Sequence, residues 1–295
     1  MKFAAIDIGS NAVRLLITNV YEETDPPRFK KASLVRVPIR LGADSFTEGV
    51  ISGTKGKKLE QTMQAFKLLI DVHDVKSFRA CATSAMREAT NGQMIADEIL
   101  AQTGLQIEII PGTEEADIIF ANHFEEQMDV NAHYMYIDVG GGSTELTLFS
   151  QKKVVASESF KIGTIRLLND TVTEDRWGNM EEWVKANTKG LNSVLALGSG
   201  GNINKLYKMA EIPGRQPLMR NQLKSIREEI AAISFEDRVV HLGMNLDRAD
   251  VIIPACDIFL NITNWADINE IYVPEFGLAD GITRLLYEEH KKGNR

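Results

Sequence analysis

The chain has 295 residues, 44% of them hydrophobic and 25% charged, the balance of an ordinary globular protein with room for one large domain or two. Its formal net charge of −8 argues against a general nucleic-acid binder. The cysteines Cys81 and Cys256 form no C-x-x-C pair, which excludes a disulfide framework or a cysteine zinc site and fits a reducing cytosol. The opening MKFAAIDIGSN meets Asp7 before a signal-peptide core can form, and the most apolar run, VIIPACDIFLNI (251 to 262), holds Pro254 and Asp257 and is too short to cross a bilayer. The expectation is a cytoplasmic protein with no membrane and no nucleic-acid partner.

Residues 3 to 8 and 13 to 20 read as two strands joined by a GSN turn, and 33 to 41 as a third. Leu59, Met63, Phe66 and Ile70 recur at helical spacing and predict a helix over roughly 54 to 72. SFRACAT (77 to 83) reads as a strand, TNGQMIADEILAQTG as a helix ending at Gly104, and QIEIIPG (106 to 112) as another strand. A helix capped by Thr113 follows, burying Ala116, Ile119, Phe120 and Phe124 and ending near Gln127. After it come HYMYIDV, a glycine turn, TELTLF, a QKK turn and VVASESF, then LALGSGGNI (195 to 203), a strand running through glycines into a helix. The alternation is that of an α/β protein.

Charge is uneven along this order. Residues 1 to 58 carry +4 and the remainder −12, a distribution able to focus a small or linear polyanion on the first lobe. The simpler reading of RFKKASLVRVPIRLG is a sheet edge protected by its Lys and Arg, and composition favours it.

One device occurs twice. An offset of 131 residues lays IDIGSNAVRLLI (6 to 17) on IDVGGGSTELTL, matching Ile6, Asp7, Gly9 and Leu15 to Ile137, Asp138, Gly140 and Leu146. Backbone N–H groups freed at a strand end make an anion nest, and glycine lets a phosphate approach it. The candidates are Ser10 and Asn11 in the first copy, and Gly140, Gly141, Gly142 and Ser143 in the second. Gly198, Gly200 and Gly201 form a third stretch. A single such turn is only a tight hairpin; three of them in two similar lobes describe a cleft that holds phosphates. Asp138 at its strand end suits Mg²⁺. For Asp7 the same role and a carboxylate bonded to its own turn both stand open.

Glu114 and Glu115 open a helix, where acids oppose the macrodipole; either could also serve as a general base, and spacing alone does not separate the readings. Glu145 could hold a water. Arg87, closing CATSAMR, and Arg14 offer guanidinium forks for phosphate, with surface ion pairing the competing reading for Arg14. The five histidines lack metal-ligand spacing, and no G-x-S-x-G pattern supports acyl transfer.

DIGSN (7 to 11), ATSAMR (82 to 87), GTEEA (112 to 116), DVGGGSTE (138 to 145) and GSGGN (198 to 202) stand in an order that resembles the exopolyphosphatase/guanosine pentaphosphate phosphohydrolase family of the actin-like superfamily. The resemblance implies two ribonuclease-H-like lobes with mixed sheets and an inter-lobe cleft. The first would take residues 1 to 121 with a returning helix at about 280 to 295, the second residues 122 to 279. It implies Mg²⁺-dependent release of terminal phosphate from polyphosphate or guanosine pentaphosphate, and a homodimer. Glu115 would be the base, Asp138 and Glu145 would position metal and water, and Arg87 would bind phosphate. Two departures stand out. The second-lobe turn reads GSGGN where the family often has G-T-G-G-T. The family's G-L-R-x-G reads Gly277-Leu278-Ala279-Asp280-Gly281, which removes an arginine and leaves Arg284 as its substitute. A sensor that binds without turnover, supported by that loss, and a phosphotransferase using the same cleft are the alternatives.

Overall fold

The computed structural model describes residues 1–122, 129–214, 216–274 and 276–293. Contacts divide the chain into two units, Met1–His123 with Phe276–Arg295, and Phe124–Glu275.

The first unit begins with β1 (Lys2–Ile8), β2 (Val13–Tyr21) and β3 (Arg28–Val37), then α1 (Leu41–Glu48), α2 (Gly53–Val72), β4 (Ser77–Ala82), α3 (Ser84–Glu88), α4 (Gly92–Thr103), β5 (Ile107–Ile109) and α5 (Gly112–Phe120). Its sheet runs β3-β2-β1-β4-β5, with β1, β2 and β3 antiparallel and β4 and β5 parallel to β1. Leu59, Met63, Phe66 and Ile70 line the buried face of α2, whose start is capped by Ser52 Oγ accepting the Lys55 N–H. Gly104 ends α4 in the left-handed conformation that glycine adopts without strain.

Three local expectations need correction. The third strand lies earlier than 33 to 41, and the chain turns at Arg40 (φ 59°) into a helix over Leu41–Glu48 that the pattern did not announce. α5 starts at Gly112 with Pro111 at the cap position, so Thr113 is already inside the helix and does not cap it. The residues α5 buries are Glu115, Ile118 and Ile119, while Ala116 and Phe120 are half-buried; Phe124 and Gln127 lie outside the described residues. β3 is an edge strand with Lys30 and Lys31 exposed, the arrangement in which cations discourage pairing with another sheet.

The second unit holds β6 (His133–Val139), β7 (Thr144–Ser150), β8 (Lys153–Phe160), α6 (Thr164–Leu168), α7 (Glu174–Thr188), β9 (Val194–Ser199), α8 (Gly201–Met209), β10 (Leu218–Met219), α9 (Arg220–Ala231), α10 (Phe235–Val240), α11 (Leu246–Ala249), α12 (Ile252–Trp265) and β11 (Glu270–Tyr272). Its sheet runs β10-β11-β9-β6-β7-β8, again antiparallel across β6, β7 and β8 and parallel from β6 to β9 to β11. The β7–β8 hairpin closes on Gln151 and Lys152, both left-handed (φ 50° and 61°), as a two-residue turn requires. α13 (Leu278–Gly293) then returns to the first unit and packs on β1 and β2.

The 131-residue offset holds in three dimensions: it carries the limits of β1 and the start of β2 onto those of β6 and β7 residue for residue. Each sheet has the mixed, ribonuclease-H-like order. Each unit also has its own apolar core, and among the described residues no helix is long and apolar enough to cross a membrane.

Both cysteines sit inside these cores, and burial pushes each thiol up to about 12. At pH 8 the reactive thiolate is then a fraction of roughly 10⁻⁴. A thiol-disulfide reagent should label neither cysteine in the native protein and both after unfolding; rapid labelling of either in the native state would contradict this burial.

Candidate active site

The two copies of the hairpin turn are built alike. Gly9 N–H donates to Ala12 O at 3.2 Å and Gly140 N–H to Ser143 O at 3.0 Å, positions again 131 apart. In the first unit the carbonyl of Ser10 accepts from Gly42 N–H (2.9 Å) and that of Asn11 from Arg40 N–H (3.0 Å), so the start of α1 backs the turn. In the second unit α6 takes that place. The Gly140 carbonyl accepts from Thr164 N–H (3.0 Å), the Gly141 carbonyl from Ile165 N–H (2.8 Å), and the Gly142 carbonyl from Arg166 Nε (2.6 Å).

The copies diverge at the neighbouring cross-strand pair. Asp7 lies opposite Arg14, whose Nη1 donates to Asp7 Oδ2 at 2.8 Å. The equivalent positions in the second unit are Asp138 and Glu145, two carboxylates directly opposite one another. Glu145 is 3% exposed and its Oε1 accepts from the Ser159 hydroxyl at 2.9 Å. Directly opposed like charges destabilise a sheet unless something answers them. The first copy sets an acid against an arginine; the second sets two acids face to face.

Among the described residues no group of three or more His, Cys, Asp and Glu could hold a metal ion by themselves. Mg²⁺ does not require one, because it keeps water and bridges to substrate phosphate through one or two carboxylates. Asp138 and Glu145 fit that demand. Asp7 pairs with Arg14 at 2.8 Å, next to its own turn, and sequence had left this and a metal role open for it.

Gly200 completes the second-unit cluster. It precedes α8 with φ 104°, and a Cβ there would lie 3.2 Å from Asp138 Oδ1, so both backbone and space call for glycine beside this carboxylate. Gly201 is the first residue of α8. Gly198 is placed differently: its Cβ would meet Ile203, Phe259 and Ile271 at 3.0–3.2 Å, so its small size serves core packing. Ser143 is buried in the turn.

In the first unit a chain of contacts links the remaining candidates. Ser10 Oγ and Ser84 Oγ are 2.9 Å apart in a buried hydrogen bond that ties the turn to the start of α3. One turn later Arg87 donates through Nη1 to the Ile110 carbonyl at 2.7 Å, which braces the segment entering α5. The two glutamates of α5 separate cleanly. Glu114 pairs with Arg79 Nη2 at 2.7 Å, and Arg79 also grips Glu108. Glu115 is buried, at 9% exposed.

The departure near the C-terminus has a structural account. Asp280 accepts the Gly277 N–H at 3.0 Å at the start of α13 and pairs with Lys31 at 3.1 Å; burial pushes its carboxyl up while Lys31 pulls it down. Arg284 stacks 4.5 Å over the Phe29 ring of β3. Ala279-Asp280 therefore builds a helix start.

Reasoning from sequence missed Gly163, Ser84 and Arg166. The run Gly163-Thr164-Ile165-Arg166 carried a signal, a glycine after a strand and before a helix, but nothing local shows that it packs on a turn more than twenty residues away.

A family model described as Ppx/GppA phosphatase family matches residues 29–290. Exopolyphosphatase 2 of Mycobacterium tuberculosis is 26% identical over 97% of this chain and 98% of its own length. A bifunctional 3-dehydroquinate synthase/phosphatase of Fusobacterium nucleatum is 30% identical over 66% of this chain, which spans only 31% of that larger relative. The crystal structure of an exopolyphosphatase from Cytophaga hutchinsonii superposes with a TM-score of 0.83 over 99% of this chain and 98% of its own, at 23% identity, and shows the same fold. With the two glycine turns, the acid pair and the matched sheets on record, the chain belongs to the Ppx/GppA phosphatase family.

Proposed function

We propose that the protein is a phosphoanhydride hydrolase that removes the terminal phosphate of inorganic polyphosphate or the 5′ γ-phosphate of guanosine pentaphosphate. The observation that carries this reading is the divergence of the duplicated pair: Asp7 faces Arg14, whereas the register sets two carboxylates, Asp138 and Glu145, face to face beside a glycine turn. A cation held there offsets charge on phosphoryl oxygens. The family membership supports the same class of reaction.

In this reading Asp138 and Glu145 would hold Mg²⁺, which when bound neutralises charge developing on the transferred phosphoryl group. The N–H groups of Gly141, Gly142 and Ser143 bind its oxygens, and the family resemblance assigns Arg87 to phosphate as well. Glu115 accepts a proton from the attacking water, and the phosphate chain leaves one unit shorter.

Phosphate release from short-chain polyphosphate, long-chain polyphosphate and guanosine pentaphosphate tests the reading and ranks the substrates. With Mg²⁺ removed by chelator, release from the preferred substrate should fall at least about 100-fold and return on adding Mg²⁺. Asp138→Asn should need roughly tenfold more Mg²⁺ for half-maximal rate. Undiminished release in chelator, or an unchanged Mg²⁺ requirement in the variant, would remove the metal from this carboxylate pair.

A further inference from the structure

Arg166 lies behind the Gly140–Ser143 turn and is 4% exposed. Burying a guanidinium is costly unless its donors are used, and here Nε donates to the Gly142 carbonyl at 2.6 Å. The preceding N–H groups of Thr164 and Ile165 take the carbonyls of Gly140 and Gly141, and Arg166 N–H shares the latter at 3.3 Å. Three consecutive carbonyls of the turn therefore all face one short segment. A trans peptide is planar, with its C=O and the next N–H pointing in opposite directions. The N–H groups of Gly141, Gly142 and Ser143 must then point away from α6.

Gly163 is what permits this approach. A Cβ there would fall 2.5 Å from the carbonyl carbon and oxygen of Gly141 and from the carbonyl carbon of Gly142. The backbones touch, so the orientation of the turn is set by α6 and does not follow from the glycines themselves, which are free to adopt many others.

We propose that Arg166 is a positioning residue for phosphate binding. It fixes the Gly142–Ser143 peptide plane through its carbonyl, so that the N–H groups of Gly141, Gly142 and Ser143 form a preorganised anion nest. A charged donor on the carbonyl also polarises the peptide and strengthens the Ser143 N–H on the far side. This rests on the phosphohydrolase reading, which supplies the phosphoryl group as the anion. Lysine is not an equivalent here, because its ammonium is a point charge on a flexible stem without the planar fork.

The test follows tripolyphosphate binding without Mg²⁺, so that binding is read apart from turnover, by the amide resonances of ¹⁵N-labelled protein. The wild-type protein should show shifts at Gly141, Gly142 and Ser143. Arg166→Met should lose them and bind at least about tenfold more weakly, with Arg166→Lys in between. In the phosphate-release assay KM should rise by a larger factor than kcat falls. Should Arg166→Met fail to fold, Arg166→Lys carries the comparison. Gly163→Ala supplies a second perturbation, since it drives the same segment off the turn with Arg166 intact, and it should lose the same three shifts. Wild-type-like shifts and affinity in both arginine variants would overturn the inference while leaving the phosphohydrolase reading standing. No shift at these amides in the wild-type protein would overturn the nest itself.

Discussion

Glu115→Gln should lower phosphate release by about 10²- to 10⁴-fold, the usual span of a general base, while leaving substrate binding within a few-fold of wild type. The substitution keeps the shape of a buried side chain and removes only its capacity to take a proton. Glu114→Gln is the control that gives the result its meaning. Glu114 is the adjacent acid in the same first turn of α5, so helix-dipole effects are nearly the same for both. Its partner is Arg79, at 2.7 Å, in a partly exposed ion pair worth about 1 kcal/mol or less. Glu114→Gln should therefore turn over at close to the wild-type rate and melt within a few degrees of it. Single-turnover phosphate release and equilibrium binding on the three proteins would check both expectations. Equal losses in the two variants would point to a helix-terminus effect and withdraw the proton-transfer role from Glu115.

That contrast shows what the sequence could not reveal. Glu114 and Glu115 are adjacent, and what separates them is Arg79, 35 residues away on β4. The duplicated hairpin was legible because it is local: strand, aspartate, glycine turn and strand recur at one offset, and the strand limits follow it. The long helices were legible for the same reason, since α2 spans five turns of apolar recurrence. α1, α3 and α6 were missed because eight, five and five residues give too few turns for a period to stand out. These short helices are also the ones that hold the turns. The divergence of Asp7–Arg14 from Asp138–Glu145 could have been seen at the offset itself, yet its meaning needs the register that places each pair face to face. Arg166 illustrates the limit most plainly: its partner, the Gly142 carbonyl, belongs to a backbone whose orientation no side-chain pattern reports.

Gly281→Ala should be among the most damaging small substitutions outside the phosphate-binding turns. A glycine inside a helix is about 1 kcal/mol less favourable than alanine, so propensity alone would improve α13 by that amount. Packing opposes it far more strongly. A Cβ at position 281 would lie 2.0 Å from the Ile118 carbonyl oxygen and 2.8 Å from its carbon, both backbone atoms of α5 that no rotamer change can move aside. The helices must separate by more than an ångström, and overpacking of this kind costs about 1–3 kcal/mol or more. α13 cannot yield cheaply, because Ile282, Leu286 and Tyr287 are buried and Tyr287 meets Phe3 edge-on at 6.1 Å. The strain therefore falls largely on α5, where Ile118 sits one turn beyond Glu115. Displacing a catalytic group by about 1 Å can lower a rate by roughly 10²-fold. The expected result is a midpoint lowered by on the order of 5 °C, with turnover falling much further than that loss of stability would explain. Thermal melts and phosphate release measured well below the midpoint would separate the two effects. A variant that melts lower but turns over normally would show that α5 keeps Glu115 in place without this crossing, and the link between the helix contact and the base would have to be given up.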